Sequence, residues 1–128
     1  MLHLPITMAT AGICGLLFFI LSFRVVQLRI KGIAAIGDGG HPELLNRIRT
    51  HGNFSEYIPL ILILMALIEA DGGSGLWLKI AGAATVVTRV LHAIGMPMKA
   101  PNFFRAAGTI GTFAVLVSLS VYGFILAR

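Results

Sequence analysis

Apolar residues fall into four long runs separated by short polar stretches. A membrane-spanning helix needs about 20 predominantly apolar residues, and each run comes close to that length. Runs 5–23 and 106–127 carry no formal charge, and runs 52–68 and 76–96 carry only Glu56, Lys79 and Arg89. The pattern predicts an all-α integral membrane protein, a four-helix bundle with spans at about 5–28, 43–70, 76–96 and 103–127.

The composition agrees with a membrane protein. Hydrophobic residues make up 57% of the chain and charged residues 12%, which excludes intrinsic disorder because disorder requires low hydrophobicity and high charge. A soluble domain of this size could not cover so much apolar surface. Four spans leave only short connections, so we expect one domain, 1–128, without a separate soluble unit.

Basic residues outnumber acidic ones, 10 to 5. Most of them flank the first and third connections between spans, at Arg24, Arg29, Lys31, Arg47, Arg49, Arg89, Lys99 and Arg105. The positive-inside rule then places these two connections in the cytoplasm and both termini on the opposite side. We attribute the net charge of +5 to this orientation and expect no nucleic-acid partner.

No metal site is expected. Cys14 is the single cysteine, which excludes a disulfide framework and a cysteine-based metal site. It lies deep in an apolar run, where its thiol should be inert. The four histidines form no ligand pair at helical spacing; they are His3, His41, His51 and His92.

Polar residues within a span are costly and therefore point to function. The second span carries the densest set. With Arg49 at 0° and 100° per residue, Asn53 falls at about 40°, Glu56 at about −20° and Tyr57 at about 80°. One helix face thus offers a guanidinium, an amide, a carboxylate and a phenol, which would match a small zwitterion with separated carboxylates and an ammonium.

The alternative for this polar stripe is structural. Glu56 would then pair with Arg89 or Arg49 and hold helices together, as buried charges often do. Within one helix, Arg49 and Glu56 are about 10 Å apart along the axis, too far for a direct pair. Spacing alone leaves the functional and the structural interpretation open. Pro59 is expected to kink the span near the stripe.

The third and fourth spans add three more polar candidates. Arg89 and His92 share one helix face, although a lone histidine is more often a hydrogen-bonded structural group. Arg105 opens the fourth span and, by itself, fits an interface arginine that snorkels better than a functional residue. Small residues that allow close helix approach follow, at Gly108, Gly111 and Ala114.

The segment 47–60, RIRTHGNFSEYIPL, resembles the MAPEG family, the membrane-associated proteins in eicosanoid and glutathione metabolism. The pattern R-x-x-x-N-x-x-E-Y-x-P carries the resemblance. Gly-Asp-Gly-Gly at 37–40 and Arg-Val-Leu-His at 89–92 fit the same family, and the resemblance covers nearly the whole chain. The chain resembles a bacterial-type member of the family, so the expected location is the bacterial inner membrane.

The resemblance implies a four-helix protomer that assembles as a homotrimer, with glutathione between neighbouring subunits near the cytoplasmic side. Arg49 matches the arginine that contacts a glutathione carboxylate, and Glu56 matches the carboxylate that holds the glutamyl ammonium. Asn53 and Tyr57 match further polar contacts to the tripeptide. Other matching positions are Arg89 and His92, from the adjoining subunit, and Arg29, near a first-helix arginine.

Catalysis in the family relies on an arginine near the start of the fourth helix, and Arg105 is the matching candidate. A free thiol has a pKa of about 8.5, and a nearby guanidinium favours the thiolate. Arginine stays protonated, so it acts as an electrostatic stabiliser and not as a base. Two departures are Met96, where some members have tyrosine, and a third connection of different length.

The implied function is a microsomal-type glutathione S-transferase whose thiolate attacks a lipophilic electrophile, a detoxification chemistry. Conjugation, peroxide reduction and isomerisation share this thiolate. A non-catalytic lipid-binding scaffold of the same family is the alternative, although a scaffold need not retain glutathione ligands. A small multidrug exporter would need a glutamate in the first span, whose only charge is Arg24.

Overall fold

The computed structural model describes residues 3–128 and contains four long α-helices. Each helix is long and apolar enough to cross a membrane. The prediction of an all-α chain with four membrane-spanning helices is confirmed. The helices are α1 (Pro5–Ile30), α2 (Pro42–Ala70), α3 (Gly75–Gly95) and α4 (Phe103–Leu126).

The four helices form one bundle in which α1 and α4 lie on opposite sides. α1 packs against α2 and α3, and α4 packs against the same two helices. Connections 31–41 and 96–102 lie at one end, which we call the basic end, and connection 71–74 lies at the other. Large apolar side chains such as Phe19 and Phe124 are exposed on the outer faces, as expected for surfaces that contact lipid.

Local sequence explains where α3 and α4 begin. The side-chain oxygens of Ser74 and Asn102 accept hydrogen bonds from the backbone N–H groups of Trp77 and Arg105, at 3.4 and 2.9 Å. Such N-caps satisfy donors that have no partner in the first helical turn. The amide nitrogen of Asn102 also donates to the carbonyl oxygen of Gly95 at 3.0 Å, which ties the start of α4 to the end of α3.

Glycines allow α3 and α4 to approach closely. A Cβ added at Gly108 would lie 2.6 Å from the backbone nitrogen of His92, and one at Gly111 would meet the side chain of Thr88. The expectation of close approach is confirmed at these two positions. Ala114 is exposed and takes no part in the contact, so that part of the prediction is wrong.

The core has two clusters of buried residues. The larger one joins α2, α3 and α4 toward the end opposite the basic end and includes Ile61, Met65 and Leu119. The smaller one lies between α1 and α2 and includes Cys14 and Phe54. Cys14 is buried there, which fits its expected role as an inert packing residue.

Glu69 near the end of α2 caps the start of α1. Its two carboxylate oxygens accept hydrogen bonds from the backbone N–H groups of Ile6 and Thr7, at 2.9 and 2.8 Å. The residue at the N-cap of α1, Leu4, supplies no side-chain cap of its own. A carboxylate at a helix N-terminus also interacts favourably with the helix dipole, so Glu69 joins the first two helices at this end.

We expect Glu69→Ala to lower the free energy of unfolding by about 0.5–2 kcal/mol, the usual cost of losing a cap. Two N–H groups of α1 would lose their acceptor. The measurement is detergent-induced unfolding followed by circular dichroism. Asp71→Ala removes an exposed carboxylate two residues away and is the control. Equal stability of the two variants would contradict a capping role for Glu69.

Candidate functional site

The two charged residues of the polar stripe of α2 lie on the outer surface of the protomer. Arg49 and Glu56 are exposed, and Asn53 is half-buried. The amide nitrogen of Asn53 donates to the carbonyl oxygen of Arg49 at 2.9 Å. This bond orients the Asn53 side chain along its own helix and leaves its amide oxygen as an acceptor for another molecule.

Glu56 forms no ion pair with any residue between 3 and 128. Over that range the single ion pair is between Arg47 and Glu43, at 2.6 Å on α2 itself. The structural alternative, in which Glu56 pairs with Arg49 or Arg89 to hold helices together, is therefore not what the protomer adopts. Both charges of the stripe point outward and are free to contact a ligand or a second subunit.

The depth of Glu56 makes an unpaired carboxylate costly. α2 has 29 residues and is about 44 Å long, whereas the hydrocarbon layer is about 30 Å thick. With Ala70, the last residue of α2, taken as one edge of the layer, Glu56 lies about 21 Å along the axis and falls inside the layer, and Arg49 falls at the other edge. An acidic side chain within the layer costs up to about 3 kcal/mol unless something polar faces it.

Tyr57 forms the inner edge of the stripe and is held from two sides. Its ring meets Phe113 of α4 edge-on, with 5.7 Å between the ring centroids. The guanidinium carbon of Arg89 on α3 lies 5.8 Å from the centroid of the same ring, within the range of a cation–π contact. Tyr57 therefore joins the stripe to both α3 and α4.

Arg89 is only 4% exposed and is bound to α4. Its Nη2 donates to the carbonyl oxygen of Gly108 at 3.1 Å and to the hydroxyl of Thr112, which lies 3.2 Å from the hydroxyl of Thr88. Each of these contacts lies within one protomer. Arg89 thus sits beneath Tyr57, where it can position the ring, and is not on the outward surface of the stripe.

His92 is also buried, one turn of α3 from Arg89 and closer to the basic end. Its backbone packs against Gly108 of α4. The structure brings Arg89 and His92 together on one face of α3, as the sequence predicted. Met96 is buried as well, so the position where some family members have tyrosine offers an apolar thioether here.

Arg105 lies at the same depth as Arg49. The rings of Tyr57 and Phe113 are in contact, so the two residues lie at the same height along the parallel helices α2 and α4. Arg49 precedes Tyr57, and Arg105 precedes Phe113, by the same number of residues, which corresponds to about 12 Å of helix. Both guanidiniums therefore lie near the basic end of two neighbouring helices, and Arg105 is exposed there.

The side chain of Arg29 forms hydrogen bonds with the first connection, residues 31–41. Its Nη1 donates to the carbonyl oxygens of Ala34, Ala35 and Gly37, at 3.0, 2.9 and 3.1 Å. These bonds hold the connection against the end of α1. The structure does not bring Arg29 to the polar stripe of its own protomer, so any contact with a ligand there would have to come from a second subunit.

Sequence reasoning missed three residues that position the site. Asn102 caps the first turn of α4 and so fixes the backbone position of Arg105. An asparagine just before a predicted helix is a typical sequence signal for such a cap. Thr112 holds Arg89, and Phe113 packs on Tyr57. No local signal distinguishes the last two residues, because their roles depend on the helices that face them.

Within residues 3–128 no group of three or more metal-ligating side chains comes together. The groups that remain to carry chemistry are two outward guanidiniums, an outward carboxylate, an amide and a supported phenol. Such a set can form charge-assisted hydrogen bonds with a polar, multiply charged ligand.

Comparison with known proteins identifies the class. The sequence profile of the MAPEG family matches residues 7–125, and the chain belongs to that family. It is 36% identical over 107 residues to the inner membrane protein YecN of Escherichia coli (strain K12), an alignment that covers 84% of this chain and 81% of that protein. YecN of Escherichia coli O6:H1 matches equally well. No solved structure matches the chain.

These matches and the four apolar helices establish the location. The chain is an integral membrane protein of the bacterial inner membrane. The resemblance to the MAPEG family and the expected location are both confirmed.

Proposed function

We propose that this protein is a glutathione-dependent membrane transferase that binds glutathione on the outward stripe of α2. The observation that carries the proposal is the unpaired, exposed Glu56 inside the apolar layer, with Arg49 two turns away on the same face. A cationic partner would stabilise a carboxylate at that depth, and no residue between 3 and 128 forms an ion pair with Glu56.

Glutathione has the complementary groups. Its ammonium would face Glu56, and a carboxylate would face Arg49 at the edge of the hydrocarbon layer. The amide oxygen of Asn53 and the phenol of Tyr57 would bind the peptide portion. Tyr57 is supported by Arg89 and Phe113 before any ligand binds, so little ordering of that side chain is required.

We further propose that three copies assemble around such sites. The stripe is open on its outer side, so bound glutathione would be partly exposed to lipid in a single protomer. A neighbouring subunit would cover the ligand and could supply Arg29 as an additional cation. Family membership supports this arrangement, and cross-linking of the detergent-solubilised protein would measure the number of subunits.

Arg105 would activate the thiol. The guanidinium lies in the first turn of α4, where the helix dipole also favours negative charge. Together they would stabilise the thiolate. The thiolate then attacks an electrophilic carbon of a lipophilic substrate: the new S–C bond forms from the sulfur lone pair, and the leaving group departs with its bonding electrons.

The binding experiment compares Glu56→Gln with Ser55→Ala. We expect Glu56→Gln to weaken glutathione binding about 10- to 100-fold, because a charge-assisted hydrogen bond to the ammonium becomes a neutral one. Ser55 is the neighbouring residue, and its hydroxyl donates to the carbonyl oxygen of Gly52 in its own helix, so Ser55→Ala should bind like the unchanged protein. Equilibrium dialysis with labelled glutathione gives both affinities.

The same experiment separates the transferase from a lipid-binding scaffold. A scaffold should show no saturable glutathione binding at millimolar concentration, and Glu56→Gln should then change nothing. Saturable binding that depends on Glu56, together with conjugation of a lipophilic aryl halide, supports the transferase. Saturable binding that is equal in both variants would overturn the assignment of the ammonium to Glu56.

A further inference from the structure

Gly95, the last residue of α3, lies directly against the first turn of α4. A Cβ added at Gly95 would lie 2.3 Å from the backbone nitrogen of Arg105 and 2.8 Å from its Cα. It would also lie 2.8 Å from the Oδ1 of Asn102. The backbone that carries Arg105 is therefore in contact with α3, and even a methyl group would not fit between them.

This close approach is the reason for a glycine at position 95. Glycines at helix ends often adopt a positive φ, but Gly95 lies within α3 and its φ is not positive. Alanine would be the better helix former at such a position. The contact with Arg105 therefore favours glycine here, and the local backbone conformation does not.

Asn102 joins the same two helices by hydrogen bonds. Its amide nitrogen donates to the carbonyl oxygen of Gly95 at 3.0 Å, and its Oδ1 accepts from the backbone N–H of Arg105 at 2.9 Å. One side chain thus binds the last residue of α3 and the backbone of Arg105 at once. We call Gly95, Asn102 and the backbone of Arg105 the α3–α4 junction.

We propose that Gly95 is a positioning residue for thiol activation, because the α3–α4 junction sets where the guanidinium of Arg105 meets the glutathione sulfur. The inference rests on the proposed transferase and on the role of Arg105 in it. Gly95 touches no ligand and acts through the backbone of Arg105. A side chain at position 95 would move the first turn of α4 and the guanidinium with it.

The junction also fixes Arg105 independently of the connection between the helices. A third connection of different length is one of the two departures from the family pattern, and by itself it would leave the position of Arg105 open. Residues 97–100 of this connection are exposed. Because Gly95 and Asn102 bring its two ends together, the exposed residues between them do not determine where Arg105 lies.

The size of the expected effect follows from the overlap. Non-bonded heavy atoms are normally about 3.5 Å apart, so Gly95→Ala would displace the first turn of α4 by about 1 Å. A displacement of about 1 Å at a reacting centre can lower a rate about 100-fold. Glutathione affinity should change little, because the ammonium and carboxylate contacts are assigned to α2.

The test measures the ultraviolet thiolate absorbance of the glutathione complex against pH, and the glutathione affinity by equilibrium dialysis. We expect Gly95→Ala to bind glutathione like the unchanged protein and to raise the pH midpoint of the thiolate by about one pH unit. Its conjugation rate should fall about 10- to 100-fold. Lost packing alone would not change the pH at which a bound thiol ionises.

Two further variants separate the junction from general packing. Gly82→Ala crowds another glycine of α3, where a Cβ would lie 2.5 Å from the hydroxyl oxygen of Thr10 on α1. Gly82 is about 20 Å from Gly95 along the helix, so this variant should keep the thiolate midpoint. Asn102→Ser retains a good N-cap for α4 but has no amide nitrogen to donate to Gly95, so its midpoint should rise.

Folding and the junction itself are checked without glutathione. Circular dichroism shows which variants are folded, and Asn102→Ser decides the result if Gly95→Ala is not. Hydrogen exchange at the start of α4 should be faster in Gly95→Ala and in Asn102→Ser than in the unchanged protein, because the first turn loses its contact with α3.

An unchanged thiolate midpoint in both Gly95→Ala and Asn102→Ser would overturn the proposal. An equal rise in Gly82→Ala would also overturn it, since the effect would then follow from any disturbance of α3. A raised midpoint without faster exchange would show that the effect does not pass through the junction. Failure of the transferase proposal is distinct, because the unchanged protein would then show no saturable glutathione binding before any variant is compared.

Discussion

Arg105→Gln should bind glutathione but lose the thiolate, and its conjugation rate should fall about 10²- to 10³-fold. That factor is typical for the removal of one preorganised group that stabilises a developing negative charge. The measurement is ultraviolet thiolate absorbance of the glutathione complex, followed by the rate of conjugation with a lipophilic aryl halide. Glutathione affinity should change little, because the carboxylate and ammonium contacts are assigned to Arg49 and Glu56.

The thiolate absorbance should depend on pH differently in the unchanged protein and in Arg105→Gln. Arg105 would lower the pKa of the bound thiol below the ordinary value of about 8.5. In the unchanged protein the thiolate should therefore be present at neutral pH and disappear only as the pH falls through the lowered pKa. In Arg105→Gln the absorbance should appear only as the pH rises toward about 8.5.

The structure supplies suitable controls for Arg105. Lys99→Gln removes another exposed cation at the basic end without changing α4 and should leave the thiolate intact. Asn102→Ala removes the cap that sets the first turn of α4, so it should reduce thiolate formation while Arg105 itself is retained. If Arg105→Gln and Lys99→Gln have the same thiolate absorbance, Arg105 does not activate the thiol.

Gly108→Ala should destabilise the bundle by more than about 2 kcal/mol, although alanine is the better helix former. A Cβ at this position would lie 2.6 Å from the backbone nitrogen of His92. Backbone atoms cannot rotate away, so α3 and α4 would have to separate. Separation would also pull the Gly108 carbonyl and Thr112 from the buried guanidinium of Arg89. Detergent-induced unfolding, followed by circular dichroism, measures the change.

Gly123→Ala is the matched control for Gly108→Ala. Gly123 lies on the same helix, and nothing approaches within 4 Å of a Cβ placed there. The gain in helix propensity is shared by both variants, so Gly123→Ala should be as stable as the unchanged protein or slightly more stable. Equal stability of the two variants would show that the close contact of α3 with α4 does not limit side-chain size at Gly108.

The features that depend on local pattern can be predicted from the sequence. Four apolar runs predict four spanning helices, because hydrophobic length alone decides whether a segment can cross a bilayer. The helical period places Arg49, Asn53 and Glu56 on one face, whatever lies beside it. A local motif such as R-x-x-x-N-x-x-E-Y-x-P could therefore identify both the family and the polar stripe before any helix was placed against another.

The partners of the charged side chains depend on how the helices pack. Glu56 is unpaired because its face of α2 points outward, whereas Arg89 is bound to Gly108 and Thr112 because α3 faces α4. Glu69 caps α1, a contact between residues more than 60 positions apart. Charge type and spacing along one helix do not specify these outcomes, because a buried charge is satisfied by whichever groups the neighbouring helix presents.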